Sequence, residues 1–361
     1  MRIKKQKLVI LCLIIVFLLM ITIVGIIDIF AALKANLNSD INVMFEAQSV
    51  LKTGQEINQI IKGETSYAVV DEDINSITFD YDSDSYSTIK SSAVTATSVD
   101  KNDSQSIMIY EGTDNDVYIL SEKEIIAPQD CSKMFYNMTS LNEVNFNNFN
   151  TENVTDMSYM FYGCSNISTP LVPDTSNVEN MSYMYANSGL SVIDSIPWSF
   201  DSAIYVNSMF ENCDNLPWAD MRYMAFSEAV NASKMFYDCD SLIWIDFYDN
   251  GSTTDPLFRK SINETVNIEQ MFAECDQLVR IYANDWHMTY SDDYVTHFSG
   301  YSVFENSSCL IGGIPYQTYS SNNISYSEAR IDYGYFTSYI NGFRQEEPNE
   351  RYADSDYDYN K

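Results

Sequence analysis

The stretch Asn153-Val154-Thr155-Asp156-Met157-Ser158-Tyr159-Met160-Phe161-Tyr162-Gly163-Cys164-Ser165-Asn166-Ile167 decides how this chain is read. At its centre lies a phrase: Met, an aromatic residue, two free positions, a small residue, two more positions, then Leu or Ile. The phrase returns as Met134-Phe135…Leu141, Met184-Tyr185…Ser188…Leu190, Met209-Phe210…Cys213…Leu216, Met235-Phe236…Cys239…Leu242, Met271-Phe272…Cys275…Leu278 and Val303-Phe304…Ser307…Leu310. Successive anchors, at 134, 160, 184, 209, 235, 271 and 303, are 26, 24, 25, 26, 36 and 32 residues apart. A unit that short cannot bury its own apolar face and must stack on its neighbours. Such a stack offers a surface for binding rather than a pocket for chemistry.

Within the quoted stretch, Met157, Met160, Phe161 and Cys164 are spaced to share one face of a short helix. Thr155 or Asp156 would cap its start and Gly163 would loosen its end. Leu242-Ile243-Trp244-Ile245-Asp246-Phe247 reads as a strand with Leu242, Ile245 and Phe247 pointing inward. Leu141, Val144 and Phe146, and Leu216, Ala219 and Met221, follow the same pattern. The predicted architecture is an α/β solenoid: a right-handed stack of leucine-rich-repeat coils with parallel strands and short helices, preceded by a transmembrane helix and a small β-rich unit. The core would hold Met134, Phe135, Met160, Phe161, Cys164, Met184, Met209, Phe210, Cys213, Met235, Phe236, Cys239, Met271, Phe272 and Cys275. The two wide steps imply loop insertions around 248–262 and 284–299.

Asn153-Val154-Thr155-Asp156-Met157-Ser158-Tyr159-Met160-Phe161 and Asn177-Val178-Glu179-Asn180-Met181-Ser182-Tyr183-Met184-Tyr185 resemble the signature of the BspA-like leucine-rich-repeat surface proteins, in their Met-Phe-rich bacterial variant. Thr151, Thr175 and the lead-in Val117-Tyr118-Ile119-Leu120…Cys131-Ser132-Lys133-Met134-Phe135 fit it as well. The resemblance covers residues 105–315. It implies a bacterial surface protein, with members associated with adhesion to host cells, matrix proteins or other microbes. Three departures stand out: Met138 at the small-residue position of the first unit, a third unit one residue short before Leu190, and Val303 and Ser307 replacing Met and Cys in the last.

The chain has 361 residues, and 20 basic against 51 acidic residues give a net charge of −31. A surface so acidic repels phosphate backbones, which argues against nucleic acid as a partner. At 45% hydrophobic and 14% aromatic, the chain can fill a core. Leu8 to Ile27 is an uncharged apolar run preceded by Arg2, Lys4, Lys5 and Lys7, long enough for a membrane span with its N-terminus in the cytoplasm. Cleavage as a signal peptide, with secretion, is the alternative. The expected organisation is a basic stub over 1–7, a transmembrane helix or signal anchor over 8–30 and a β-rich region over 31–127. The solenoid of about seven coils then runs over 128–320, with a cap and an acidic disordered tail over 321–361. Strands are expected near Ile41–Ala47, Ser76–Asp80, Ile107–Tyr110 and Val117–Leu120, the last two joined by Glu111-Gly112-Thr113-Asp114-Asn115-Asp116. Residues 82–103 read as loop, with a possible short strand at Val94–Thr97.

No nucleophile elbow, phosphate-cradling glycine loop or Cys-x-x-Cys occurs, so no enzyme is expected. His287 and His297, near Asp285, Asp292 and Asp293, match no metal-ligand spacing. Cys213, Cys239 and Cys275 occupy the same position in adjacent units, where they would pack as reduced thiols or come within disulfide range. The outward columns of the predicted strands place Trp218 beside Trp244, with Asp220 and Asp246 next to them. Arg222, Tyr248, Arg280 and Tyr282 complete the candidate ligand face. Tryptophan beside hydrogen-bonding groups suits a sugar or a protein hot spot, and the aspartate column raises calcium as the one conceivable cofactor. The expected function is non-catalytic adhesion to a protein or glycan on a host or microbial surface, from a cell-surface, membrane-anchored position. The alternative is a structural spacer or coat that self-associates and has no soluble ligand.

Overall fold

A computed structural model describes residues 49–63, 73–93, 95–112, 115–171, 173–194, 199–221, 228–247, 265–282 and 297–310, and the backbone of 336–337, 339–340 and 343–344. Residues 1–48 lie outside the described residues, and the chain from 49 onward is a unit of its own. That unit begins with β1 (Ser49–Val50) and α1 (Gly54–Lys62), then β2 (Ser76–Tyr81), α2 (Ser87–Ser92), β3 (Thr95–Ser98), β4 (Met108–Glu111), β5 (Asp116–Ser121) and β6 (Ile125–Ile126). The repeats contribute β7 (Glu143–Asn145), β8 (Trp218–Asp220), β9 (Trp244–Asp246), β10 (Thr265–Asn267), β11 (Arg280–Tyr282) and β12 (His297–Ser299), followed by β13 (Phe336–Thr337), β14 (Tyr339–Ile340) and β15 (Phe343–Arg344).

The largest sheet runs β3-β4-β5-β2-β7. Its β2 pairs in parallel with β5 on one side and with β7, from the first repeat, on the other. Alternation decides which face is inside: Ile77 and Phe79 of β2 and Val117 and Ile119 of β5 are buried, and Thr78 and Tyr118 are only partly so. Glu111–Asp116 does turn β4 back on β5, closed by Gly112 N–H donating to Asp116 O at 2.8 Å. The 82–103 segment is more ordered than a loop, since it holds α2 and β3. The strand expected at Ile41–Ala47 lies outside the described residues.

The Met-aromatic phrases form hydrogen-bonded turns, not helices. Two left-handed residues bracket each phrase: Lys133 and Asn137, Tyr159 and Gly163, Tyr183 and Asn187, Ser208 and Asn212, Lys234 and Asp238, Gln270 and Glu274, Ser302 and Asn306, with φ between 54° and 72°. A residue at positive φ cannot continue a right-handed helix, so the i, i+3, i+4 spacing is spent on a tight turn. Four alternate amides of each turn donate to the next turn. From the first they are Cys131 N–H to Asp156 O, Lys133 to Ser158 O, Phe135 to Met160 O and Asn137 to Tyr162 O, at 2.8–3.0 Å. The bond made by Phe135 is repeated by Phe161, Tyr185, Phe210, Phe236 and Phe272, each donating to the Met or Val carbonyl of the following turn. Close stacking explains Gly189, where an added Cβ would lie 1.9 Å from Ser165 O.

The forward direction of these bonds leaves the carbonyls of the first turn without a preceding turn. Helix α1 supplies the donors: Gly54 N–H reaches Asp130 O at 3.0 Å, and the buried Asn58 amide reaches Met134 O and Tyr136 O at 3.2 Å each. The helix is held for this by a capping box between Thr53 and Glu56 and by left-handed Gly63 at its end. Unpaired backbone polar groups in a core are costly, so the cap is a structural requirement.

All fifteen expected core residues, Met134 to Cys275, are fully buried. The anchor rings of successive turns pack in order, Phe135 tilted against Phe161 at 5.1 Å and the rest stacked: Phe161 on Tyr185 at 5.1 Å, Tyr185 on Phe210 at 6.3 Å, Phe210 on Phe236 at 5.2 Å, Phe236 on Phe272 at 6.2 Å and Phe272 on Phe304 at 5.7 Å. Among the described residues the cysteines are free thiols. Cys164, Cys213, Cys239 and Cys275 each donate to the aromatic residue's carbonyl one turn back, Phe135, Tyr185, Phe210 and Phe236, at 2.9–3.3 Å. Burial pushes the thiols of Cys164, Cys213 and Cys275 up to about 12, so they stay protonated and inert.

The expected α/β solenoid of leucine-rich-repeat coils is corrected by these observations. Among the described residues only two α-helices occur, both short and both before the repeats. The repeat strands do not join in one continuous sheet: β7 belongs with β2, and β8 and β9 sit in a separate four-stranded sheet of order β13-β11-β9-β8. Between them, at Ile167–Leu171 and Leu190–Asp194, no named strand forms: the backbone makes the isolated bridge of Ile193 to Ala219 and the bond from Ser191 N–H to Ser168 O at 2.9 Å. The leucine-rich-repeat assignment is withdrawn with the helices that defined it. The membrane anchor is corrected too. Leu8–Ile27 lies outside the described residues, and among the described residues no helix is long and apolar enough to cross a membrane. The transmembrane helix and the single-pass, membrane-anchored location therefore find no support in the structure.

Candidate interaction surface

The candidate face is built on β8, β9 and β11, whose parallel register sets Trp218 opposite Trp244 and Trp244 opposite Arg280. The same register aligns Asp220 with Asp246 and Tyr282. Ala219, Ile245 and Ile281 between them turn into the core and anchor the strands. The two indoles lie 5.3 Å apart, inclined by 13°, as a stacked pair. Tyr282 meets Trp244 edge-on at 6.5 Å and 74°. Both tryptophans are partly exposed, so the pair is a pre-ordered aromatic step, with its rotamers already fixed by stacking.

The rest of the expected face differs. Asp220 and Asp246 are only 4% and 1% exposed, and Arg280 and Tyr282 only 7% and 4%. The aspartates therefore do not stand in water as an open carboxylate column. Among the described residues no cluster of three or more His, Cys, Asp or Glu side chains could hold a metal ion, so the column offers calcium no site there. Arg222 and Tyr248 lie outside the described residues, as do His287, Asp285, Asp292 and Asp293. What remains of the predicted face is an aromatic pair over a buried polar layer.

A second aromatic surface escaped the sequence reading. Tyr136 stacks on Tyr162 at 4.9 Å and 4°, and Tyr159 on Tyr183 at 4.6 Å and 9°. The two pairs touch through Tyr159 and Tyr162 at 5.7 Å. All four rings are half-buried, and Lys133 sets its ammonium 5.6 Å from the centre of the Tyr159 ring. Burial, then the neighbouring phenols, raises the Tyr159 hydroxyl above its usual range. The signal was present in the repeat itself: Tyr136 and Tyr162 follow the anchor aromatic, and Tyr159 and Tyr183 precede the anchor Met. It went unread because the helical expectation pointed these positions elsewhere.

Residues 129–243 match a family model described as "Mycoplasma protein of unknown function, DUF285". The matched span begins just before the first turn and ends just before Trp244, so it takes in the whole tyrosine ribbon and Trp218 but less than half of the chain. No curated protein matches the chain, and no solved structure does.

Proposed function

We propose that this protein is a non-catalytic recognition module that binds a protein or glycan partner through aromatic side chains fixed on its stacked repeats. The observation that carries this reading is the Trp218–Trp244 pair: two large amphipathic rings held in contact at 5.3 Å, partly exposed, on strands whose register is set by a buried core. Ordered aromatics of this kind lose little conformational entropy on binding, and they dominate the energetics of protein interfaces. The strongly acidic surface favours neutral or basic partners over anionic ones.

The test is a binding screen of the full chain against matrix proteins and oligosaccharides, with Trp218→Ala/Trp244→Ala alongside and circular dichroism to confirm that both are folded. A saturable interaction should weaken by about tenfold or more in the double variant, the scale of losing a hot-spot aromatic. A folded double variant that binds the captured partner as tightly as the parent sinks the reading. So does concentration-dependent self-assembly of the chain in place of any foreign partner.

A further inference from the structure

An open cleft of about 350 Å³ lies where the end of β2 meets the loops of the first two repeats. Its size falls in the range of small-ligand sites. The wall includes Tyr81, Asn147, Asn150, Asn177, Glu124 and Glu152, above a floor formed by Phe146 and Phe149. The floor is rigid: Phe79 stacks on Phe146 at 5.8 Å and 9° and packs against Phe149 at 4.6 Å. Buried Asn148 ties the floor to the next chain segment, accepting from Ile125 N–H at 3.2 Å and donating to Lys123 O at 3.0 Å.

The rim is where recognition chemistry is available. Tyr81 is 48% exposed, among the most exposed large apolar side chains of the described residues. The Asn147 side chain makes no hydrogen bond among the described residues. Asn150 commits its oxygen to Glu152 N–H at 2.8 Å but leaves its NH2 uncommitted there, and Asn177 spends its NH2 on Glu152 O at 2.9 Å but leaves its oxygen. Both donors and acceptors therefore remain available in the cleft that Tyr81 lines.

No lysine or arginine lines the cleft. Three carboxylates do, counting Asp174, which is held ionised by the Ser176 hydroxyl and backbone N–H. An anionic ligand is repelled there. A cation gains little, because Glu124 and Glu152 stand in solvent and Asp174 is already occupied by Ser176. A purely apolar ligand would bury these amides without partners.

We infer that this cleft is a binding site for a neutral saccharide, a sugar ring stacking on Tyr81 while its hydroxyls exchange hydrogen bonds with Asn147, Asn150 and Asn177. The inference does not rest on the tryptophan pair, which lies on other strands, so either can fail alone. The experiment is titration of the full chain with a panel of neutral oligosaccharides built from hexoses and N-acetylhexosamines. Tyr81→Ala, Asn147→Ala and the Trp218→Ala/Trp244→Ala variant are measured in parallel, at low and high salt. Tyr81→Ala should weaken the bound sugar about tenfold and Asn147→Ala severalfold, with the tryptophan variant unchanged and salt without effect. Both rim substitutions are at exposed positions, and an unaltered melting temperature would confirm intact folding. No binding by any sugar of the panel overturns the inference, as does binding indifferent to Tyr81→Ala or binding abolished by salt.

Discussion

The region before the repeats and the stack of turns solve the same problem, charge in a very acidic chain, in opposite ways. In the first region the carboxylate of Asp100 is buried and surrounded by its own donors. Oδ1 accepts from Asn102 N–H, Ser104 N–H and the Ser104 hydroxyl, and Oδ2 accepts from the Ser98 hydroxyl and Ser106 N–H, all at 2.8–3.2 Å. In the stack, each turn is a copy of the last, so a residue repeated in sequence is repeated in space. Thr139, Ser165 and Gly189 follow the small-residue position in the early turns, but the later ones place Asp214, Asp240 and Asp276 there. Burial, then Asp240 and Asp238, raises the Asp214 carboxyl, and burial, then Asp240 and Asp276, raises that of Asp238. A locally built site can satisfy one charge completely. A repeated turn stacks like upon like, which suits rings and penalises carboxylates.

The largest expected effect tests the stack as a ring ladder. Phe210 is fully buried between Tyr185 and Phe236. Phe210→Ala removes two ring contacts and leaves a cavity, and should cost about 3–5 kcal/mol in urea-unfolding free energy. Should the loss come out below about 1 kcal/mol, the turns would be held chiefly by their backbone ladder, and the comparison would lose its first term.

Next in size is the buried acid. Asp100→Ala should cost about 2–3 kcal/mol at neutral pH, because it strands donors that now share one carboxylate. Burial alone would raise the Asp100 carboxyl, but the donors from Ser104, Ser98 and Asn102 outweigh it and hold it well below the usual carboxylate range. A folded-state value below that of the unfolded chain gives stability that is present at neutral pH and lost as pH falls through the carboxylate range. The penalty of Asp100→Ala should therefore shrink on acidification. A penalty equal at pH 7 and pH 3 would show that the side chain acts by shape alone.

Some of this was legible beforehand. The period, the core residues and the register of Trp218 with Trp244 follow from spacing, because burial of Met and Phe at fixed intervals leaves few alternatives. β2, β4 and β5 were visible as apolar alternation. The turn conformation was half legible: Asn137, Gly163, Asn187, Asn212, Asp238 and Asn306 are residue types that tolerate positive φ, and they stand two places after the aromatic in nearly every unit. The other left-handed position holds Lys133, Tyr159, Tyr183, Ser208, Lys234, Gln270 and Ser302, which carry no such signature. Helical spacing of Met157, Met160, Phe161 and Cys164 was thus compatible with a tight turn, and only the backbone could decide. The burial of Asp220 and Asp246 was equally unreadable, since strand alternation places them on the same side as the partly exposed tryptophans. The cleft at Tyr81 joins residues nearly a hundred positions apart in sequence and left no local trace.

The smallest effect is the sharpest, because its sign is opposite. Asp240 is exposed and lies near both Asp214 and Asp238, whose carboxyls are raised by burial first and by repulsion from Asp240 next. A folded-state value raised above the unfolded one makes an acid destabilising at neutral pH, and the penalty is relieved as pH falls through that raised value. Asp240→Asn should therefore stabilise the protein at pH 7 by about 0.2–0.5 kcal/mol, the scale of exposed like-charge pairs. High salt should shrink the gain, because Asp240 is exposed, and acidification should erase it as the neighbours protonate. Thermal melts of parent and variant across pH 4–8 would read both trends. A stabilisation that persists in acid and in salt would mean that Asp240 acts through backbone geometry rather than charge. The contrast with Asp100 would then be one of turn conformation and not of how repetition handles like charges.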